Sequence, residues 1–134
     1  MDSPLSLDDV TRVADFRAAL RAFLRKSDQT ARRSGLTPQR YLLLLMIKGS
    51  PEGRERSTVT ALAERLQLAQ STVTELVRRA EEAGLVKRAQ SEADGRVAYL
   101  QLTEEGERRL QRAFTSNEQE RQALRTAIAH LDEG

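Results

Sequence analysis

Four short hydrogen-bonding side chains, Gln70, Ser71, Thr72 and Thr74, fall within five residues, and Arg78 follows them by one helical turn. Side chains of this length, backed by a long cation, suit hydrogen bonding to base edges and phosphate oxygens. If a helix begins at Gln70, its first backbone N–H groups add a site that favours a phosphate. A second group, Lys87, Arg88 and Arg96, surrounds the turn signal Asp94-Gly95. Arginine on a two-stranded ribbon can follow the narrow, negative minor groove of a duplex. Asp94, two positions before Arg96, can brace the guanidinium with a charge-assisted hydrogen bond. Each feature also has a plainer role: Ser71 and Thr72 as helix caps, Asp94-Gly95 as a turn, Arg96 as a solvated charge. Glu75, Glu81 and Glu82 oppose a phosphate backbone and must face away from it if the first role holds.

The elements that position these residues are legible from spacing. Ser6 and Asp9 have the separation of a capped helix start, and Val13, Phe16, Leu20 and Phe23 then form one apolar stripe. Gly35-Leu36 closes that helix. Thr37-Pro38 opens the next as N-cap and first helical residue. Its run Tyr41 to Ile47 is apolar on every side, which predicts a helix in the middle of the core. A polar turn over 50–55 leads to a short helix after Ser57-Thr58, with Leu62 and Leu66 inward. After a tight turn over 67–69, a helix over about 70–83 places Val73, Leu76, Val77 and Ala80 on one face. Leu62, Leu66, Leu68, Val73, Leu76 and Val77 are expected to fix the angle between these two helices. Gly84-Leu85 repeats the earlier closure, and 85–90 with 97–102 reads as a β-hairpin. Thr103 caps a last helical region, in which Phe114 to Asn117 either breaks the helix or is passed through. Leu124, Ala127, Ile128 and Leu131 share one face. The expected architecture is mainly α with a small β-hairpin wing: a winged helix-turn-helix over 37–103, flanked by dimerisation helices over 1–36 and 104–134.

Bulk composition narrows the function. The 134 residues contain no cysteine and one histidine, His130, so a disulfide framework, a thiolate metal site and a histidine zinc cluster are excluded. The longest apolar run is seven residues, far below the roughly 20 of a membrane span. The acidic start of the chain lacks a signal core, so a cytoplasmic protein with no membrane contact is expected. A pI of about 9.4 is compatible with nucleic acid. However, residues 57–103 carry 6 basic and 6 acidic side chains. Any electrostatic attraction must come from their arrangement in space. No glycine-rich phosphate loop, nucleophile elbow or framed acid pair is present, so no enzyme and no cofactor is expected.

In order and with matching spacing, Leu36-Thr-Pro-Gln-Arg-Tyr41, Leu62-Ala-Glu-Arg-Leu66, Gln70-Ser-Thr-Val-Thr74, Glu82-Ala-Gly-Leu-Val86, Asp94-Gly-Arg96 and Leu102-Thr-Glu-Glu-Gly106 resemble the MarR family of bacterial repressors over residues 10–110. The resemblance implies a homodimer with interleaved terminal helices, placing two recognition helices in successive major grooves of a pseudo-palindromic operator. It implies DNA-binding roles for Gln70, Ser71, Thr72 and Thr74 on the recognition helix, and for Asp94 and Arg96 in the wing. Arg78 and Arg88 are added on charge and position. It also implies release from double-stranded DNA by a small aromatic or phenolic anion, for which Tyr41, Arg17 and Arg40 are potential lining residues. The 31 residues after Thr103 are shorter than the usual tail of this family. The Leu124–Leu131 face is expected to cover the stripe of the first helix, supplied by the twin chain. The redox-sensing branch needs cysteine and is excluded. The alternative function is a winged-helix module that binds protein and not DNA.

Overall fold

The computed structural model describes residues 5–90, 95 and 97–132. Helix α1 spans Leu7–Arg33 and starts where Ser6 Oγ accepts the Asp9 N–H at 3.3 Å. It closes through Gly35 at φ +77°, a left-handed conformation that favours glycine, with the Leu36 N–H reaching back to the Ala31 carbonyl at 2.9 Å. Helix α2, Pro38–Lys48, is capped by Thr37, whose hydroxyl accepts the Arg40 N–H at 3.1 Å. A 3₁₀ turn over Pro51–Gly53 leads to α3, Val59–Leu66, capped by Thr58. Gln67 adopts φ 57° to turn the chain into α4, Gln70–Glu82. Gly84 at φ +76° and the Leu85 N–H, bonded to the Ala80 carbonyl at 2.9 Å, repeat the closure seen at Gly35. Strands β1, Val86–Gln90, and β2, Ala98–Leu102, pair antiparallel from Val86 opposite Leu102 to Gln90 opposite Ala98. Helix α5, Glu104–Ser116, and α6, Glu118–Leu131, complete the chain, so the region after Thr103 breaks into two helices at Asn117.

One core joins these elements. Leu43, Leu44 and Ile47 of α2, Leu62 of α3, Val73 and Val77 of α4, and Leu100 of β2 are fully buried in it. Burying a side chain of this size contributes roughly 1.5–3 kcal/mol. The helix-turn-helix angle is therefore set by α2 lying beneath α3 and α4.

Three expectations change, and one contact was not foreseen. Helix α2 is not buried on every side: Leu42 is exposed, and Leu45 and Met46 are half-buried. Leu68 contributes through its N–H, bonded to the Ala63 carbonyl at 3.1 Å, more than through its side chain, which is exposed. The stripe on α1 packs against α6 of the same chain. That cover is partial, for Phe16, Leu20 and Phe23 are half-buried while Val13 remains 52% exposed. Finally, the segment before α3 is tied to the hairpin, because Ser57 and Leu100 exchange two backbone hydrogen bonds at 3.1 and 2.7 Å.

Candidate nucleic-acid interface

Helix α4 presents Gln70, Ser71, Thr72, Thr74 and Arg78 to solvent while Val73, Val77 and Ala80 face the core. The residue before α4, Ala69, supplies no side-chain cap. Ser71, Thr72 and Thr74 side chains make no hydrogen bond to any described residue, so they do not serve as caps. The first turn of α4 thus leaves both hydroxyls and backbone N–H groups open at one exposed helix start. Gln70 is oriented from outside the helix, its Nε2 donating to Thr60 Oγ1 at 3.3 Å. Thr60 was not singled out in the sequence, because the contact spans two helices and no local spacing announces it. The same holds for Gln39 of α2, which shares a surface cleft of about 400 Å³ with Ser71, Thr72 and Arg79.

The glutamates of α4 have partners. Glu75 accepts from Arg78 Nη2 at 2.5 Å and from Arg79 Nε at 3.1 Å, and Glu82 pairs with Arg78 Nη1. Hydrogen bonding from Arg78 first, with Arg79 assisting, holds the Glu75 carboxyl down at about 2. Arg78 is pushed up in turn by Glu75. A depressed carboxyl keeps its pairing at every pH above the ordinary carboxylate range and loses it only as pH falls toward 2. These groups are exposed, and exposed pairs add little to stability. Their consequence is directional: Arg78 is held along the helix by two carboxylates.

Arg88 of β1 donates through Nε to Glu81 of α4 at 2.9 Å. The sequence reading adds it to the wing on charge and position; here it is paired with Glu81 of α4. Lys87 is exposed. The stem of the hairpin is held by the Ser57–Leu100 bridge and by the Arg56 guanidinium, which lies 4.1 Å over the Tyr99 ring. Gly95 forms an exposed turn at the tip, and Asp94 and Arg96 lie outside the described residues.

A further cavity of about 360 Å³ opens between α2 and α5, where Leu45, Leu110 and Phe114 form an apolar wall. Lys48 at its edge is bound by Glu107 at 2.8 Å and Glu55 at 2.6 Å, which raise its pKa in that order. Tyr41, Arg17 and Arg40 do not line this cavity. No group of acidic, histidine or cysteine residues able to hold a metal occurs among the described residues. No helix described is long and apolar enough to cross a membrane.

A helix-turn-helix followed by a hairpin wing, set between terminal helices, defines a winged helix-turn-helix fold. The MarR family model matches residues 34–97, from the end of α1 to the wing. A transcriptional regulator of organic hydroperoxide resistance from Bacillus subtilis is 37% identical over 71 residues, covering 53% of this chain and 46% of that protein. The chain thus spans about half the length of this curated relative. The MarR family regulator Sco3205 of Streptomyces coelicolor, solved in complex with DNA, is 26% identical with a TM-score of 0.65, covering 96% of this chain and 78% of that one. AbsC, another MarR family regulator of that organism, shares the fold at 20% identity and a TM-score of 0.67, covering 98% and 86%. Over residues 34–97 and in its fold, the chain is similar to the MarR family. That family consists of transcriptional regulators and not of enzymes.

Proposed function

We propose that this chain is a sequence-specific double-stranded DNA-binding repressor that works as a homodimer and responds to a small molecule. The observation that carries the reading is the open polar start of α4, where Gln70, Ser71, Thr72 and Thr74 stand exposed over a buried apolar face. A helix of this kind enters the major groove N-terminus first. Leu7 at 81% and Val13 at 52% exposure on α1, with Ile128 exposed on α6, support burial against a second copy. A dimer would set two recognition helices about 34 Å apart, one helical turn of DNA. The apolar α2–α5 cavity fits a small aromatic anion, which would compete with Glu107 for Lys48. The chain has no cysteine, so a response to oxidants cannot run through a thiol.

Footprinting on DNA upstream of the chain's own gene tests the proposal. Two protected stretches about one helical turn apart are expected. Uniform protection at every sequence would remove the specific reading. Absence of any protection would leave the winged-helix protein-binding module, which the Arg78–Glu75–Glu82 pairing independently favours.

Glu75→Gln should release Arg79 toward phosphates, while Arg78 keeps Glu82. Duplex affinity is expected to rise several-fold, and the log–log salt slope to steepen by about one. Fluorescence anisotropy at stepped salt measures both, and an unchanged slope would show that Arg79 does not approach the backbone.

A further inference from the structure

We propose that Gln70 reads an adenine in the major groove, and that Thr60 of α3 is the positioning residue that fixes this preference. The inference rests on the reading of α4 as a recognition helix and adds the base that one of its residues selects. Gln70 Nε2 donates to Thr60 Oγ1 at 3.3 Å. That bond uses one of the two amide hydrogens. The other hydrogen and the Oε1 acceptor remain unengaged by any described residue. One donor beside one acceptor is the set that meets adenine, with Nε2 donating to N7 and Oε1 accepting from the N6 amino group. Guanine presents two acceptors on the same edge, N7 and O6, and one remaining amide hydrogen cannot serve both.

The other side chains of α4 favour adenine over guanine as well. Guanine is most often read by arginine or lysine, and the arginines of α4 are engaged by carboxylates. Arg78 is held by Glu75 and Glu82, and Arg79 by Glu75. Ser71, Thr72 and Thr74 are short and carry no amide, so Gln70 is the long side chain at the helix start with a base-reading edge free. Thr60 is placed to hold it because the turn between the two helices is fixed. Gln67 reverses the chain at φ 57°, and the Leu68 N–H bonds the Ala63 carbonyl at 3.1 Å. Helix α3 packs on α4 with Leu62, Ala63 and Val73 buried, while Thr60 and Gln70 are both exposed. The Thr60 hydroxyl thus restricts rotation of the Gln70 amide at the open surface and sets which of its atoms donates.

Selection of bound duplexes from a random library, followed by anisotropy titration of single base-pair changes, tests this on the full chain. The selected sites should share an A·T pair whose replacement by G·C weakens wild-type binding roughly tenfold. Gln70→Ala should lose that preference and keep those at other positions. Placing 7-deazaadenine there removes the N7 acceptor, which should weaken wild-type binding several-fold and leave Gln70→Ala indifferent. Thr60→Val keeps the side-chain shape without the hydroxyl. It should cut the A·T preference several-fold with the salt slope unchanged, and Thr60→Ser should restore the preference. A Gln70-dependent preference for G·C, no position that depends on Gln70, or indifference of the wild type to 7-deazaadenine would overturn the adenine assignment. A full A·T preference in Thr60→Val would overturn the role of Thr60. Selection of no common sequence by the wild type would instead overturn the reading of α4 as a recognition helix, so the two failures are distinct.

Discussion

Gly106→Ala is expected to destabilise the fold by about 1–2 kcal/mol, against the sign that helix propensity alone gives. Alanine in place of glycine within a helix ordinarily gains about 1 kcal/mol. Here a Cβ would stand 2.1 Å from the Leu85 carbonyl oxygen and 3.1 Å from its carbon. That carbonyl cannot simply move, because it accepts the Thr103 N–H at 3.0 Å. Leu85 is itself buried, and its N–H closes α4 onto Ala80. Overpacking of this kind typically costs about 1–3 kcal/mol and occasionally more. The strain falls where α4, the hairpin and α5 meet, so the angle between recognition helix and wing should suffer too. Chemical denaturation of wild type and variant measures the effect. A stabilised variant would mean that α5 does not seat against Leu85.

Arg96→Ala is expected to weaken operator binding by about 1–3 kcal/mol, the scale of one good groove contact. Arg88 is engaged by Glu81, which leaves Lys87 and Arg96 as the wing's remaining candidates for DNA. The stem of the hairpin is fixed to the body by Ser57 and by Arg56 on Tyr99. Arg88→Ala should therefore cost less than Arg96→Ala in the same titration. Equal affinities of wild type and Arg96→Ala would remove the wing from the interface.

Local signals carried far in this chain. Ser6, Thr37, Thr58 and Thr103 each cap the helix that the sequence places after them, and Gly35 and Gly84 each close one. Such signals act within a few residues, so a linear reading reaches them. What escaped it depends on tertiary geometry. The period of the α1 stripe predicts a partner but carries nothing about which chain supplies it, and α6 of the same chain does. The uniformly apolar α2 run cannot show that Leu42 would face outward. Arg88 and Glu81 lie on different elements, seven residues apart, and meet only because β1 doubles back along α4. The α4 glutamates raised the right question in the sequence; their answer required the rotamers that join Glu75 and Glu82 to Arg78.

The central claim is that the polar start of α4, presented beside an anchored wing, reads duplex sequence. Its most direct test is an anisotropy titration of the protected upstream duplex against a scrambled duplex of equal length, at about 0.05 and 0.2 M salt. The account predicts binding of the upstream duplex at least about 10³-fold tighter than the scrambled one, with both affinities falling steeply as salt rises. Equal affinity for the two duplexes, or binding indifferent to salt, would contradict it.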